Sequence, residues 1–154
     1  MGNDNAETVM SGRIDYTRAA PEVFKALLAM QKCVNDSSLE PALLELVKIR
    51  ASQLNGCAYC LDMHCREALA KGEDARRINV LAAWHETTLF SPRERVALEW
   101  TEVLTCLSDT NVPDALYAEA LDEFGERGLA ELSLAVAMIN VWNRFGVAFQ
   151  PALP

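Results

Sequence analysis

Residues 45–64 read Glu-Leu-Val-Lys-Ile-Arg-Ala-Ser-Gln-Leu-Asn-Gly-Cys-Ala-Tyr-Cys-Leu-Asp-Met-His, and this stretch decides the fold. The flanks of Asn55-Gly56 carry apolar residues at helical rather than alternating spacing, so the dipeptide reads as a glycine closing one helix before the next starts, not as a hairpin turn. The second helix then opens on Cys57 and Cys60, with His64 four residues beyond Cys60. On a helix of 3.6 residues per turn the three side chains fall within an arc of roughly 60° and share a face. Both thiols are expected in the first helical turn, where unpaired N–H groups and the positive end of the dipole favour thiolate over thiol.

Working outward from this hairpin, every other segment also reads as helix or connection. After a flexible N-terminal tail over residues 1–12, Arg13 to Thr17 reads as an arm. Pro21 opens a helix carrying Val23, Phe24, Leu27, Leu28 and Met30. Asn35-Asp-Ser-Ser breaks it, and Ser37 with Glu40 resembles a capping box for a helix over 39–54. The third helix spans about 57–70 and stops at Gly72; a fourth covers about 74–87. Ser91-Pro92-Arg93-Glu94 combines an N-cap, an N1 proline and an N3 glutamate, the strongest helix start in the chain, and its helix reaches about Leu107. A short helix from Pro113 ends near Gly125, and residues 129–149 form the last. No segment alternates with period 2, so the fold is expected to be all-α, a single domain over 13–154 with six to seven helices.

The last helix is apolar almost all round, which calls for burial on several sides. Glu131, Asn140, Asn143 and Arg144 interrupt it and argue against a membrane span. Two readings stand for this helix, a central core helix or one that packs in part against another subunit; a second nearly all-apolar helix in so small a chain supports the latter and the expectation of a homo-oligomer. The net charge of −8 and the lack of any Lys/Arg stripe argue against a nucleic-acid or anionic-membrane partner. MGNDNAETVM has neither the basic start and apolar core of a secretion signal nor the Ser or Thr at position 6 of a myristoylation site. The chain is therefore expected in the cytoplasm, where a Cys-x-x-Cys is catalytic or metal-binding rather than structural. Of the five cysteines, Cys33 and Cys106 are expected to be inert and buried, and Cys65 to be a bystander. His85 reads as a surface or interface residue with no evident partner.

The remaining question is what Glu45, Cys57, Cys60 and His64 do together. Reducing a peroxide at sulfur takes a thiolate to attack the O–O bond, a proton for the departing oxygen and a second thiol to resolve the sulfenic acid. Cys60 with His64 one turn away offers the first two, Cys57 the third, and Glu45 can orient the imidazole. Singly, Glu45 reads as the partner of Lys48, and His64 as a core imidazole. Two further readings of the set are a dithiol redox sensor without turnover and a zinc site of two Cys, one His and one Glu.

The spacing Glu45-x11-Cys57-x2-Cys60-x3-His64, with RASQLNGCAYCLDMH around it and NVWNRFG near the C-terminus, resembles the AhpD-like alkylhydroperoxidases of the carboxymuconolactone decarboxylase superfamily. The resemblance covers most of residues 20–150. It implies an all-helical AhpD-like domain, assembly into trimers or hexamers, and reduction of hydroperoxides by a thiol peroxidase recycled by a dithiol donor such as a lipoylated protein, with no cofactor or metal. It further implies Cys60 as attacker, Cys57 as resolver, and His64 with Glu45 as proton relay. The superfamily's decarboxylase branch does not use this cysteine pair. Ala58-Tyr59 stands where better-known members place a second histidine, and a phenol of pKa about 10 is a poor proton shuttle near neutrality.

Overall fold

A computed structural model describes residues 13–154; the tail expected over 1–12 lies outside the described residues. Seven α-helices and no strand occur among them: α1 (Tyr16–Ala19), α2 (Pro21–Asn35), α3 (Pro41–Asn55), α4 (Ala58–Ala70), α5 (Ala75–Val80), α6 (Pro92–Thr105) and α7 (Asp114–Phe149). The all-α expectation holds. A 3₁₀ turn over Leu81–Glu86 follows α5.

Helix α3 is the axis of the molecule, packed on α4, α6 and α7. Eight of its residues are buried, so it has no solvent face to speak of. Two apolar clusters flank it. Leu43, Leu44 and Val47 meet Trp100 of α6 and Leu132, Val136 and Met138 of α7. On the other side Leu46 and Ile49 meet Ala68, Leu81, Trp84 and Leu98. The polar residues that interrupt α7 are bonded within the fold: Glu131 accepts from the backbone N–H and hydroxyl of Ser38, Asn140 donates to Thr105, and Asn143 donates to Ser52. By length and composition α7 is apolar enough to cross a membrane, but these partners account for its polar positions in a helical bundle.

The structure departs from the sequence reading at four joints. The Ser37/Glu40 capping box does not form: Pro41 takes the first helical position, Glu40 is the N-cap without a side-chain bond, and its carboxylate pairs with Arg93 instead. Proline has its φ preset and no N–H to satisfy, so it can start a helix unaided. The expected fourth helix gives way to 3₁₀ geometry at Leu81, with Ala83 off helical values; Arg95 draws off the carbonyls of Trp84 and Thr87. The last two expected helices are one hydrogen-bonded element kinked at Gly125, whose φ of 66° and ψ of 172° suit glycine. The arm contains the single turn α1, capped by Asp15, and Arg13 ties it to the carbonyls of Val147 and Ala148 at the end of α7.

Candidate functional site

Gly56 adopts a left-handed conformation (φ 64°, ψ 36°) and ends α3, as a closing glycine should. The chain must then extend before it can coil again, and Cys57 (φ −88°, ψ 100°) is the N-cap of α4 rather than part of its first turn. Its Sγ accepts the N–H of Cys60 at 3.4 Å. The sequence reading had both thiols inside the helix; the structure puts only Cys60 there. Both are free thiols and both are buried. Helix α7 runs directly over them: a Cβ on Gly146 would lie 2.6 Å from Cys57 Sγ and 3.5 Å from Cys60 Sγ, so only glycine permits this approach.

The structure brings His64 and Glu45 together beside the thiols. Glu45 is 2% exposed, with Oε2 3.2 Å from His64 Nδ1, although the pair is not in hydrogen-bond alignment. The other oxygen, Oε1, accepts from Lys71 Nζ at 2.6 Å and from Lys48 Nζ at 3.3 Å. Burial by itself would raise the Glu45 pKa, but His64, Lys71 and Lys48 outweigh it and hold the carboxyl at about 2. Glu45 is thus a buried anion beside the imidazole, ionised near neutrality. The Glu45–Lys48 pair read from the sequence is also present, so the two readings of Glu45 coexist. Sequence reading missed Lys71 and Glu67, whose Oε2 stands 3.5 Å from His64 Nδ1. Glu67 at i+3 from His64 could have been inferred; Lys71, 26 residues from Glu45, could not.

Glu45, His64 and Glu67 have ligand atoms within 4.8 Å of one another and are close enough to share an ion. Neither cysteine belongs to that set, so the two-cysteine zinc site is not assembled. Two ammonium groups on Glu45 already neutralise the carboxylate a cation would use.

Above the site lies a cavity of about 620 Å³, walled by Tyr16, Phe24, Tyr59, Cys60, His64 and Trp142 among others, with Arg13 of the arm and Gln150 to Ala152 of the C-terminal segment also on its boundary. Cys60 meets this space; Cys57 is not among its walls. Tyr16 packs edge-on against Phe145; burial raises its phenol pKa, and the neighbouring Tyr59, Asp15 and Cys60 add to the effect. The expectation of a thiolate at Cys60 is corrected. Burial pushes its thiol up to about 12, and the neighbouring Cys57 adds to the rise, while Asn143 and the backbone pull the other way. Desolvation outweighs the helix terminus here. The other cysteines also differ from expectation: Cys33 is exposed and Cys106 half-buried, because Cys33 faces away from the side of α2 that buries Val34. Cys65 is half-buried beside the Trp84 cluster.

Residues 21–103 match the carboxymuconolactone decarboxylase family. The chain is 42% identical over 139 residues to the uncharacterized protein YdfG of Bacillus subtilis, covering 90% of this chain and 95% of that one. It is 28% identical to the uncharacterized YnjA of Escherichia coli, over 89% and 72% of the two chains. A crystal structure of a protein of unknown function from Agrobacterium tumefaciens, a candidate AhpD antioxidant defence protein, superposes with a TM-score of 0.89 at 36% identity, over 92% of this chain and 97% of that one. The chain therefore belongs to the carboxymuconolactone decarboxylase family, as an AhpD-like member.

Proposed function

We propose that this protein is a thiol peroxidase that reduces hydroperoxides at Cys60. The observation that carries the reading is that Cys60 alone of the pair meets the cavity, with His64 one turn behind it on the same wall and Cys57 beneath. Cys60 gives up its proton to His64 and attacks the distal oxygen of ROOH; the O–O bond breaks, the Cys60 sulfur is oxidised to sulfenic acid, and RO⁻ leaves as ROH with the proton from His64. Cys57 then attacks the sulfenic sulfur, water departs, and a Cys57–Cys60 disulfide results. A dithiol donor such as a lipoylated protein restores both thiols and becomes a disulfide itself. Glu45 holds the imidazole in place throughout and stabilises the imidazolium formed in the first step.

The resting thiol at Cys60 is a strong constraint on this chemistry. With a pKa of about 12, little thiolate is present near neutrality, so proton transfer to His64 must accompany attack. The same burial supports a second reading, a dithiol switch that oxidises without rapid turnover. We place the protein in the cytoplasm as a homo-oligomer, trimer or hexamer; exposed Val23, Leu28 and Met30 on α2 supply apolar surface for subunit contact. Peroxide consumption by the reduced protein with a dithiol donor, assayed beside metal content, tests the proposal. Multiple turnovers with a Cys57–Cys60 bridge in the oxidised form are expected; one equivalent consumed and no recycling would leave the switch.

A further inference from the structure

The cavity over Cys60 has two kinds of wall. Its inner side belongs to the bundle, with Cys60 of α4 and Ile139 and Gly146 of α7, and these residues sit on the cluster that buries both thiols. Its outer side includes five consecutive residues of the arm, Arg13 to Thr17. No residue of α1 is buried, and Ile14 beside it is 61% exposed. Arg13 and Tyr16 hold the arm down. Arg13 Nη1 donates to the carbonyls of Ala148 at 2.6 Å and Val147 at 3.3 Å, in the last turn of α7, where carbonyls lack helical partners and the negative end of the dipole favours a cation. The Tyr16 ring lies 4.9 Å from that of Phe145 and 5.2 Å from that of Phe149. The arm joins α2 through Ala20, whose φ of −143° and ψ of 73° are not helical. It can therefore swing at this joint without breaking a helix.

We infer that residues 13–19 form a hinged cover that sets the size of what reaches Cys60, with Arg13 as its latch and Tyr16 as its seat, so that both are specificity-determining residues. Cys60 is buried beneath the cavity, and a reactant comes to it through that space. Lifting the arm returns one guanidinium and two carbonyls to water and moves Tyr16 off Phe145 and Phe149, while the buried core stays closed. Covers over binding sites are drawn from such weakly held segments. The inner wall offers no alternative, because moving Ile139 or Gly146 would open the cluster around the thiols. The cover follows from where Cys60 lies and needs no peroxide chemistry. Its use in turnover rests on the proposed thiol cycle: a small hydroperoxide enters with the arm seated, and the bulkier dithiol donor enters when it lifts.

The test compares N-methylmaleimide with N-(1-pyrenyl)maleimide on the reduced full chain at one pH, with labelling at Cys60 read by tandem mass mapping. The same thiolate attacks both reagents, so the ratio of their rates cancels its ionisation and reports access. The exposed Cys33 supplies the reference ratio within the same chain. Wild type should favour the small reagent at Cys60. Arg13→Ala and Tyr16→Ala should each lower that preference by about tenfold, by speeding the bulky reagent while the small one stays within about threefold. Arg13→Lys keeps a cation on the carbonyls and should restore most of the preference. Since α1 buries no residue, these variants keep the core. A general loosening reads differently: both reagents speed up together and the melting temperature falls. That parallel rise, an unchanged preference in both alanine variants, or no preference in wild type overturns the cover. Labelling needs no peroxide. A wild type that consumes none but shows the shifted preference would reject the peroxidase and keep the cover; turnover with an unchanged preference would do the reverse.

Discussion

The chain has two histidines, and each faces a glutamate that also holds a basic side chain. His64 stands by Glu45 with Lys48 and Lys71; His85 stands by Glu102, 3.5 Å away, with Arg50 on the same carboxylate at 2.7 Å. As lists of residue types the two sites are nearly equal. The His85 side chain, however, is 57% exposed and stacks on Trp84 at 3.5 Å between ring centroids, so the partner missing from the sequence reading turns out to be a tryptophan and a carboxylate at the surface. The His64 side chain is 8% exposed, borders a cavity and has a thiol one turn away. An imidazole–carboxylate pair becomes chemistry when it is dry, walled and next to a nucleophile; the same pair in solvent is an ordinary surface contact worth little.

The largest expected effect lies at the thiol that only one of these sites possesses. Cys60→Ser should abolish peroxide reduction, while Cys57→Ser should complete one attack and stall as a sulfenic acid at Cys60, trapped by a dimedone-type reagent. A trap on Cys57 in Cys60→Ser instead would reverse the two roles. Next, His64→Gln should slow peroxide consumption by about 10²–10⁴-fold, whereas His85→Gln should change it by less than about threefold. Equal losses at both histidines would erase the distinction drawn between them.

Glu45 sharpens the comparison through stability. Its folded pKa of about 2 lies below the ordinary carboxyl value of 4.5, so its ionised form favours the folded state above pH 4.5. That contribution, on the order of 3 kcal/mol, is lost as pH falls from about 4.5 toward 2. Urea unfolding between pH 6 and 2.5 should show this acid limb in wild type and a shallower one in Glu45→Gln. Its peroxidase rate should fall less than that of His64→Gln, because an orienting group acts through the base. The smallest effects concern the glycines of α7. Gly146→Ala meets Cys57 Sγ at 2.6 Å and should destabilise by about 1–3 kcal/mol; Gly128→Ala meets only Phe124 Cβ at 3.3 Å and should stay within about 1 kcal/mol of wild type, helped by alanine's helix preference. Thermal melts of the two compare them directly.

Much of this was legible without coordinates because it is local. The glycine at 56, the capping box at Ser91 and the spacing of Cys57, Cys60 and His64 depend on neighbours a few residues away, and each appears close to where the sequence places it. Residue type and spacing are enough for the helices, their breaks and the set Glu45, Cys57, Cys60 and His64. The ionisation of that set was not legible. Helix position argued for a thiolate, yet desolvation by Ile139, Trp142 and the rest of the α7 face prevails, and those residues are some eighty positions away in the chain. Lys71 on Glu45, Asn143 on Ser52 and the aromatic walls of the cavity are likewise long-range meetings. Sequence alone determined which groups can do chemistry, since their types and spacing are covalent facts. Tertiary structure decided which of them are dry, charged and open to a substrate, because burial and electrostatics depend on what the fold brings from elsewhere.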